Sequence, residues 1–502
     1  MVKVMITNEL KSYEADIRDL CLAFFPYQKV EIEPKSFIEN SEDILIENFF
    51  YGTLTGDRTI DKSEIKRQLY DYLKEKTGKK LLWGTLTGIR PVTIVTNMIE
   101  NAKLEEKPSK SIGKTLGLSP ITEIENPKYK LNESIREELK KEYYISDEKV
   151  NLLIEIANRE INILGRGNIK NYKDRYSIYI GVPFCKSTCL YCSFTSFNIE
   201  RYRDYVDKYL DTLESELKNR MHEISSSETS VYKPMTLYIG GGTPTSLDVK
   251  SFERLLNIVD KYIDLSTSVE YTIEAGRPDT IDIEKLKLMK DHKVNRISIN
   301  PQTFNQKTLD LIGRKHTVKD IIEKYYLARK LSFDNINMDI IMGLPNERKL
   351  QVMNTLFNIY KLRPDSVTVH MLALKRAARL NNELESWTKD YYLAGLSESN
   401  VTEGKRTIDK MEKYSKTLME CLNLKPYYLY RQKNIAGNLE NVGYAKAFKE
   451  SIYNIMMMSE RHSVYGFGTA TTKKVFYENN SKRIENELGY KSVTDYILTK
   501  NT

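Results

Sequence analysis

With 502 residues, 40% of them hydrophobic and 29% charged, the chain can bury a large core and divide into two or three domains. No run of about 18 apolar residues occurs, which argues against a membrane-spanning helix. The 77 Lys and Arg against 69 Asp and Glu leave only +8, with no basic block interleaved with aromatics to mark a nucleic-acid partner. The charged start, MVKVMITNELKSYEADIRDL, does not read as a secretory signal, so a cytoplasmic protein is expected.

Residues 1–172 read as a separate region of mixed character, an N-terminal α/β extension. Within it YGTLTGDR (51–58) and WGTLTGIR (83–90) suggest two similar turns or strand ends. Lys- and Glu-rich helical stretches follow, among them 133–162, and Tyr-Lys-Asp at 172–174 reads as a linker. From residue 177 short apolar runs alternate with amphipathic stretches. Strands are predicted at 177–183, 235–241, 269–275, 295–301, 336–343 and 365–372, and helices at 202–222, 248–263, 281–291, 317–330 and 347–361. Six βα units in succession imply a parallel sheet with right-handed crossovers, closed as a partial or full barrel. Chemistry in such sheets sits past the C-terminal ends of the strands. After residue 375 the alternation fades. Helices are predicted at 397–422 and 443–459, and VYGFGTATTKK (464–474) reads as a Gly-rich turn. The expected division is therefore 1–172, 173–375 and 376–502, with the last part mostly helical.

The chain has five cysteines, and three of them, Cys185, Cys189 and Cys192, fall within PFCKSTCLYCSF directly after the first of the six strands. Structural zinc takes four close ligands, and no histidine stands nearby. A redox pair is a poor reading because a third thiol adjoins it, and an inert trio is a weak one. A [4Fe–4S] cluster held by three thiolates keeps one iron open to chelate a small molecule. The isolated Cys21 and Cys421 read as small hydrophobes. GGGTPT (240–245) follows the second strand, where glycines let backbone approach a ligand closely.

CxxxCxxC after the first strand of such a barrel resembles the signature of the radical S-adenosylmethionine superfamily. The resemblance implies a [4Fe–4S] cluster on the three cysteines and bound S-adenosylmethionine, whose amino group GGGTPT would receive through Gly241, Gly242 and Thr243. YIGVPFC, TIEAGRPD (272–279), NRISINPQTFNQKTL (295–309), LIGRKHT (311–317) and NMDIIMGLP (337–345) resemble the oxygen-independent coproporphyrinogen III oxidase-like branch. It implies that Tyr179 lies near the cluster and substrate and that Glu274 holds the methionine amino group or ribose. Some relatives bind a second S-adenosylmethionine, for which Tyr191, Thr243, Gln302, Arg314 and Asp339 are the matching positions. Taken singly, Gln302 also reads as a turn residue, Arg314 as a surface ion pair and Asp339 as a satisfied structural carboxylate.

WGTLTGIRP, VHMLALKR (369–376) and YYLYRQKNIAGNLENVGYA (427–445) resemble the coproporphyrinogen dehydrogenase variant of that branch. The implied reaction is oxidative decarboxylation of two propionates of coproporphyrinogen III to vinyls, with a reduced ferredoxin- or flavodoxin-like donor. Tyr179 and Arg314 are the implied catalytic pair, and Lys375, Arg376 and Arg431 are further candidates for holding propionates under a substrate-covering C-terminal part. Two positions depart from the better-known oxidases: Gly181 stands in place of a histidine and Phe194 in place of a cysteine. A sister branch carries heme on a C-terminal histidine, which GNLENVGY (437–444) lacks. Heme-binding, heme-degrading and tRNA-modifying proteins of the superfamily are the alternative readings.

Overall fold

The computed structural model describes residues 1–26, 28–34, 43–88, 90–105, 127–226, 233–397, 405–477 and 483–498. Near the N-terminus, β1 (Val2–Ile6) lies between β2 (Val30–Pro34) and β3 (Ile44–Ile46), all parallel. Helices α1 (Glu14–Phe24) and α2 (Arg58–Thr77) pack with this sheet around a small core of Val4, Ile17, Leu20, Phe24, Ile65 and Leu69. Asp57 caps α2 by accepting from the Thr59 and Ile60 N–H groups, and Gly78 ends it at φ +68°. Then α3 (Val92–Glu105), α4 (Pro127–Tyr143) and α5 (Asp147–Leu164) pack together. They join the main core through Val95, Leu139 and Leu153. The stretch read as helical over 133–162 is thus two helices, broken where Tyr144 takes φ +57°. Of the two Gly-Thr-Leu-Thr segments, the one at 52–55 is irregular and the one at 84–87 begins in a turn. In the first, Thr55 donates from its N–H and hydroxyl to Asp61; in the second, Ile89 lies outside the described residues. Tyr-Lys-Asp at 172–174 is a short 3-10 turn.

The middle segment follows the predicted alternation. It runs β4 (Tyr176–Val182), a two-residue ladder of β5 (Phe184–Cys185) with β6 (Phe197–Asn198), α6 (Arg203–Ser226), β7 (Pro234–Gly241), α7 (Val249–Tyr262), β8 (Glu270–Glu274) and α8 (Ile283–Asp291). It continues through β9 (Arg296–Ser298), α9 (Gln306–Leu311), α10 (Val318–Lys330), β10 (Ile336–Met342), α11 (Lys349–Leu362) and β11 (Ser366–Met371). Strands β4, β7, β8, β9, β10 and β11 pair side by side in chain order, all parallel. Helices cover their outer face, so the strands read as nearly continuous apolar runs. In β10, INMDIIM, only Asp339 is not buried. Residues Asp248, Asp282 and Thr317 cap α7, α8 and α10, fixing where each crossover turns back.

The last part contains α12 (Arg379–Asn382), α13 (Leu384–Asp390), α14 (Thr407–Cys421), β12 (Lys425–Tyr430), β13 (Asn441–Ala445), α15 (Ile452–Ser459), β14 (Val464–Gly468), β15 (Thr472–Tyr477), β16 (Arg483–Leu488) and α16 (Val493–Leu498). Its helices are joined by five strands that local pattern did not reveal. The hairpin β12–β13 adds antiparallel to β11, and β14 adds parallel to β4, followed by β15 and β16. An eleven-stranded sheet results, curled but open. Of the helix expected over 443–459 only Ile452–Ser459 forms; 443–445 pair instead with β11 and β12, where Gly443 lies under the Tyr428 ring and an added Cβ would stand 1.7 Å from a ring carbon. The expected turn at 464–474 is two strands around 469–471, and 398–404 of the expected helix 397–422 lie outside the described residues. Among the described residues no helix is long and apolar enough to cross a membrane.

Candidate active site

Parity along the strands puts a polar set on the inner face of the sheet. Tyr179 and Gly181 of β4 register with Tyr238 and Gly240 of β7, and Glu274 registers with Ser298. Asn337 registers with Ser298 and Ser366, and Asp339 with Thr368. Above this face lies a cavity of about 460 Å3. Its wall includes Cys185, Cys189 and Cys192 on one side and Asp339, His370, Tyr428 and Tyr430 on another.

The cysteine loop leaves β4 and is tied back to the sheet. Gly242 N–H donates to Val182 O at 2.7 Å, and Thr243 N–H donates to Phe184 O at 2.7 Å. A Cβ at Gly242 would stand 2.7 Å from Phe184 O, and Gly241 takes φ +103°, so only glycine lets β7 end against this loop. Those two N–H groups therefore anchor the cysteines. The Thr243 hydroxyl lies 3.3 Å from Cys185 Sγ. Burial pushes the Cys185 thiol up to about 11 and the Cys192 thiol up as well.

Glu274, at the end of β8, accepts from Tyr238 OH at 2.5 Å. Burial holds its carboxyl up at about 7, against that hydrogen bond, with the Asp339 charge adding to the rise and Arg296 opposing it. Asp339 behaves in the opposite way. Burial raises it, yet His370, Asn337 and Thr368 hold it below its ordinary value. Asn337 donates to it at 2.8 Å, and His370 Nε2 stands 3.7 Å away.

Gln302 sits at φ +65°, an uncommon conformation for a side-chain-bearing residue. Its N–H donates to Asp339 O, and its carbonyl accepts from Ile341 N–H, both at 2.9 Å. These bonds fix its side chain in the cavity wall, where its amide oxygen is buried and has no partner in the chain. Arg314 is 4% exposed. Its guanidinium donates to the carbonyls of Gly276 and Asn300 and, at 3.2 Å, to Tyr191 OH, which leaves Nε buried and unpartnered.

Eleven of the twelve expected site residues line this one cavity. Tyr179 does not. Its ring stacks against Tyr238, which does line the cavity, and against Tyr453, with centroids 6.0 and 6.1 Å apart. Of the basic candidates, Lys375 lines the cavity with its Nζ 5.2 Å from the Phe194 ring centroid. Arg376 is exposed and off the wall. Arg431 stacks on Trp83 and bonds Leu86 O and Asn438 Oδ1 instead. The Gly181 departure has a steric cause: a Cβ there would stand 2.4 Å from Thr469 O, so the β14–β15 turn occupies the place a histidine would need.

Sequence reading missed Arg277, Arg296, His370, Tyr428, Tyr430 and Asn441. Arg296 is 1% exposed, donates to Ser366 Oγ at 3.3 Å and keeps an unpartnered Nε. His370 Nδ1 lies 3.0 Å from Tyr430 OH. A cation inside a strand, at inward parity, was the available signal for Arg296. His370, Tyr428, Tyr430 and Asn441 needed the pairing of β11 with β13 and of β12 with β13, and Arg277 needed the contact of the turn after β8 with the cysteine loop.

Three free thiols after the first of six parallel strands, above a glycine corner and an inward carboxylate, define a radical S-adenosylmethionine protein. The sequence model of the Radical SAM superfamily matches residues 179–357. The oxygen-independent coproporphyrinogen-III oxidase-like protein HemZ of Bacillus subtilis is 37% identical over 423 residues, covering 84% of this chain and 75% of that one. The chain thus belongs to the oxygen-independent coproporphyrinogen III oxidase-like family of that superfamily. The heme chaperone HemW of the same organism is 34% identical over 200 residues, 40% of this chain and 51% of that one. The coproporphyrinogen III oxidase HemN of Escherichia coli, described as a radical SAM enzyme, superposes with a TM-score of 0.49 at 17% identity, covering 67% of this chain and 73% of that one.

Membership implies a [4Fe–4S] cluster and S-adenosylmethionine, and the residues present fit them. No three His, Cys, Asp or Glu side chains among the described residues are grouped to hold a single metal ion. The three thiols line one cavity. The unpartnered oxygen of Gln302 and the carboxylate of Glu274 are acceptors of the kind an ammonium or a ribose hydroxyl takes.

Proposed function

We propose that the protein oxidatively decarboxylates propionate side chains of coproporphyrinogen III to vinyl groups, yielding protoporphyrinogen IX. Each propionate gives up a hydrogen atom, CO2 and one electron, and that electron passes to a one-electron acceptor such as the oxidised donor protein. Bound there, a [4Fe–4S] cluster and S-adenosylmethionine would together supply one-electron radical chemistry, with a flavodoxin- or ferredoxin-like protein as the electron donor. Cys185, Cys189 and Cys192 hold the cluster. Gly241, Gly242, Thr243 and Glu274 receive the methionine end, and Tyr191, Gln302, Arg314 and Asp339 line the place of a second nucleotide or of the substrate. Tyr179 acts through the Tyr238 ring behind the wall. Lys375 offers a propionate its ammonium, and Tyr428 and Tyr430 offer a tetrapyrrole flat apolar faces.

The observation that carries this reading is the placement of the three thiols, a cation and a tyrosine wall on one cavity. The test is anaerobic reconstitution with iron and sulfide, followed by coproporphyrinogen III, S-adenosylmethionine and reduced flavodoxin. Protoporphyrinogen and CO2 are expected, with 5′-deoxyadenosine in proportion. Release of 5′-deoxyadenosine without vinyl product would overturn the substrate; no release would overturn the chemistry. A second reading, heme holding, draws on the HemW relatives and on His370, an imidazole on the cavity wall. Tight heme binding lost in His370→Ala, with no turnover, is the outcome that favours it.

A further inference from the structure

We propose that Arg277 is a positioning residue of the cysteine loop and a fixed positive charge that eases one-electron reduction of the cluster held by Cys185, Cys189 and Cys192. Arg277 follows β8 by three residues and is 3% exposed. It stands outside the cysteine signature, but its guanidinium reaches into it. Nη1 donates to Ser187 O at 2.9 Å and to Ser187 Oγ at 2.8 Å, so it grips the loop between the first two cysteines. The same nitrogen stands 4.0 Å from Cys189 Sγ. Asp279 receives Nε at 3.3 Å. The remaining nitrogen, Nη2, is buried with no partner in the chain.

The Asp279 carboxylate offsets part of the guanidinium charge, but the buried Nη2 donor stays unmet and is costly unless another group satisfies it. Arg277 lines the cavity of the three thiols, and the acceptor-rich group that belongs there is the thiolate-ligated cluster. Adding an electron to that cluster adds negative charge. A guanidinium at this distance stabilises the reduced form, and N–H donation toward a ligating sulfur acts in the same direction. Burial among protein groups keeps the charge from being screened by salt. The proposal depends on the cluster and not on which substrate the cavity takes.

Reconstituted wild type, Arg277→Gln and Arg277→Lys are poised anaerobically at one potential, and the reduced cluster is counted by electron paramagnetic resonance, with iron content measured alongside. In Arg277→Gln the reduced-to-oxidised ratio is expected to fall about tenfold, about 59 mV for a one-electron couple. In Arg277→Lys, which keeps the charge, it stays within about twofold of wild type. An unchanged ratio in Arg277→Gln at full iron content overturns the proposal. So does weaker S-adenosylmethionine binding with an unchanged ratio, which would make Arg277 a nucleotide contact. If Arg277→Gln holds no iron, Arg277→Lys decides: wild-type iron and ratio support the proposal, and loss of either overturns it.

Discussion

Glu274 and Asp339 share one cavity, yet their carboxyls are driven apart. Glu274 is half-buried beside a tyrosine and sits at about 7, while Asp339 has an imidazole and an amide to keep it charged. A cationic ammonium docking on Glu274 must therefore expel its proton below about pH 7. S-adenosylmethionine affinity is expected to rise between pH 6 and 8 and level off above, and Glu274→Gln should flatten the profile; calorimetric titration across that range checks both. The stability sign follows from the same shift. The folded chain holds this proton up to about pH 7, whereas the unfolded chain releases it near 4.5, so stability is lost as pH rises through that window. Glu274→Gln should stabilise the ligand-free protein at pH 8 by roughly 3 kcal/mol and leave it nearly unchanged at pH 4, as read in thermal melts. Gly181 makes a steric prediction. Gly181→Ala drives a Cβ onto Thr469 O, and about 3 kcal/mol of destabilisation is expected in thermal melts. The cysteines were legible because three thiols in eight residues are rare in a chain with five. His370 and Tyr430 were not, since an isolated histidine or tyrosine in a strand carries no local mark of what it faces.

At the scale of elements, the six parallel strands were readable because helices cover their outer face and the strands run as near-continuous apolar stretches. The five C-terminal strands were not. NVGYA and VYGFG carry glycines that locally signal turns, and they become strands only through pairing with β11 and β4. Glycine there answers a tight approach, to the Tyr428 ring for Gly443 and to Thr472 O for Gly466. Strand β14 also closes the outer edge of β4, the strand that delivers the cysteine loop. A chain ending at Ser463 is expected to expose that edge. The measurement is the soluble fraction and iron uptake after reconstitution, both of which should fall severalfold relative to full length.

Across the whole molecule, the N-terminal extension reaches the cavity wall through a buried polar hub. Trp83 Nε1 donates to Glu440 at 2.9 Å, and Lys149, fully buried, donates to Glu440 at 2.7 Å and also to Glu412. Arg431 lies on the Trp83 ring. Their chain neighbours Tyr430, Gln432 and Asn441 line the cavity, so residues over 250 positions apart hold one wall. Removing the shared cation strands one buried and one half-buried carboxylate. Lys149→Met is expected to destabilise by about 3–5 kcal/mol, and adding Glu440→Gln should recover part of it, as read in denaturant titrations.

The parallel pairing of β4 with β14 sets a timetable for biosynthesis. Residues 177–181 meet their partners at 464–468, about 290 residues later, so at ribosomal speeds of 5–20 residues per second the first barrel strand waits roughly 15–60 s for its neighbour. Through that interval the segment bearing the thiols emerges with one flank unprotected. A nascent chain of this kind gains from holdase protection, and from iron delivery that follows release from the ribosome.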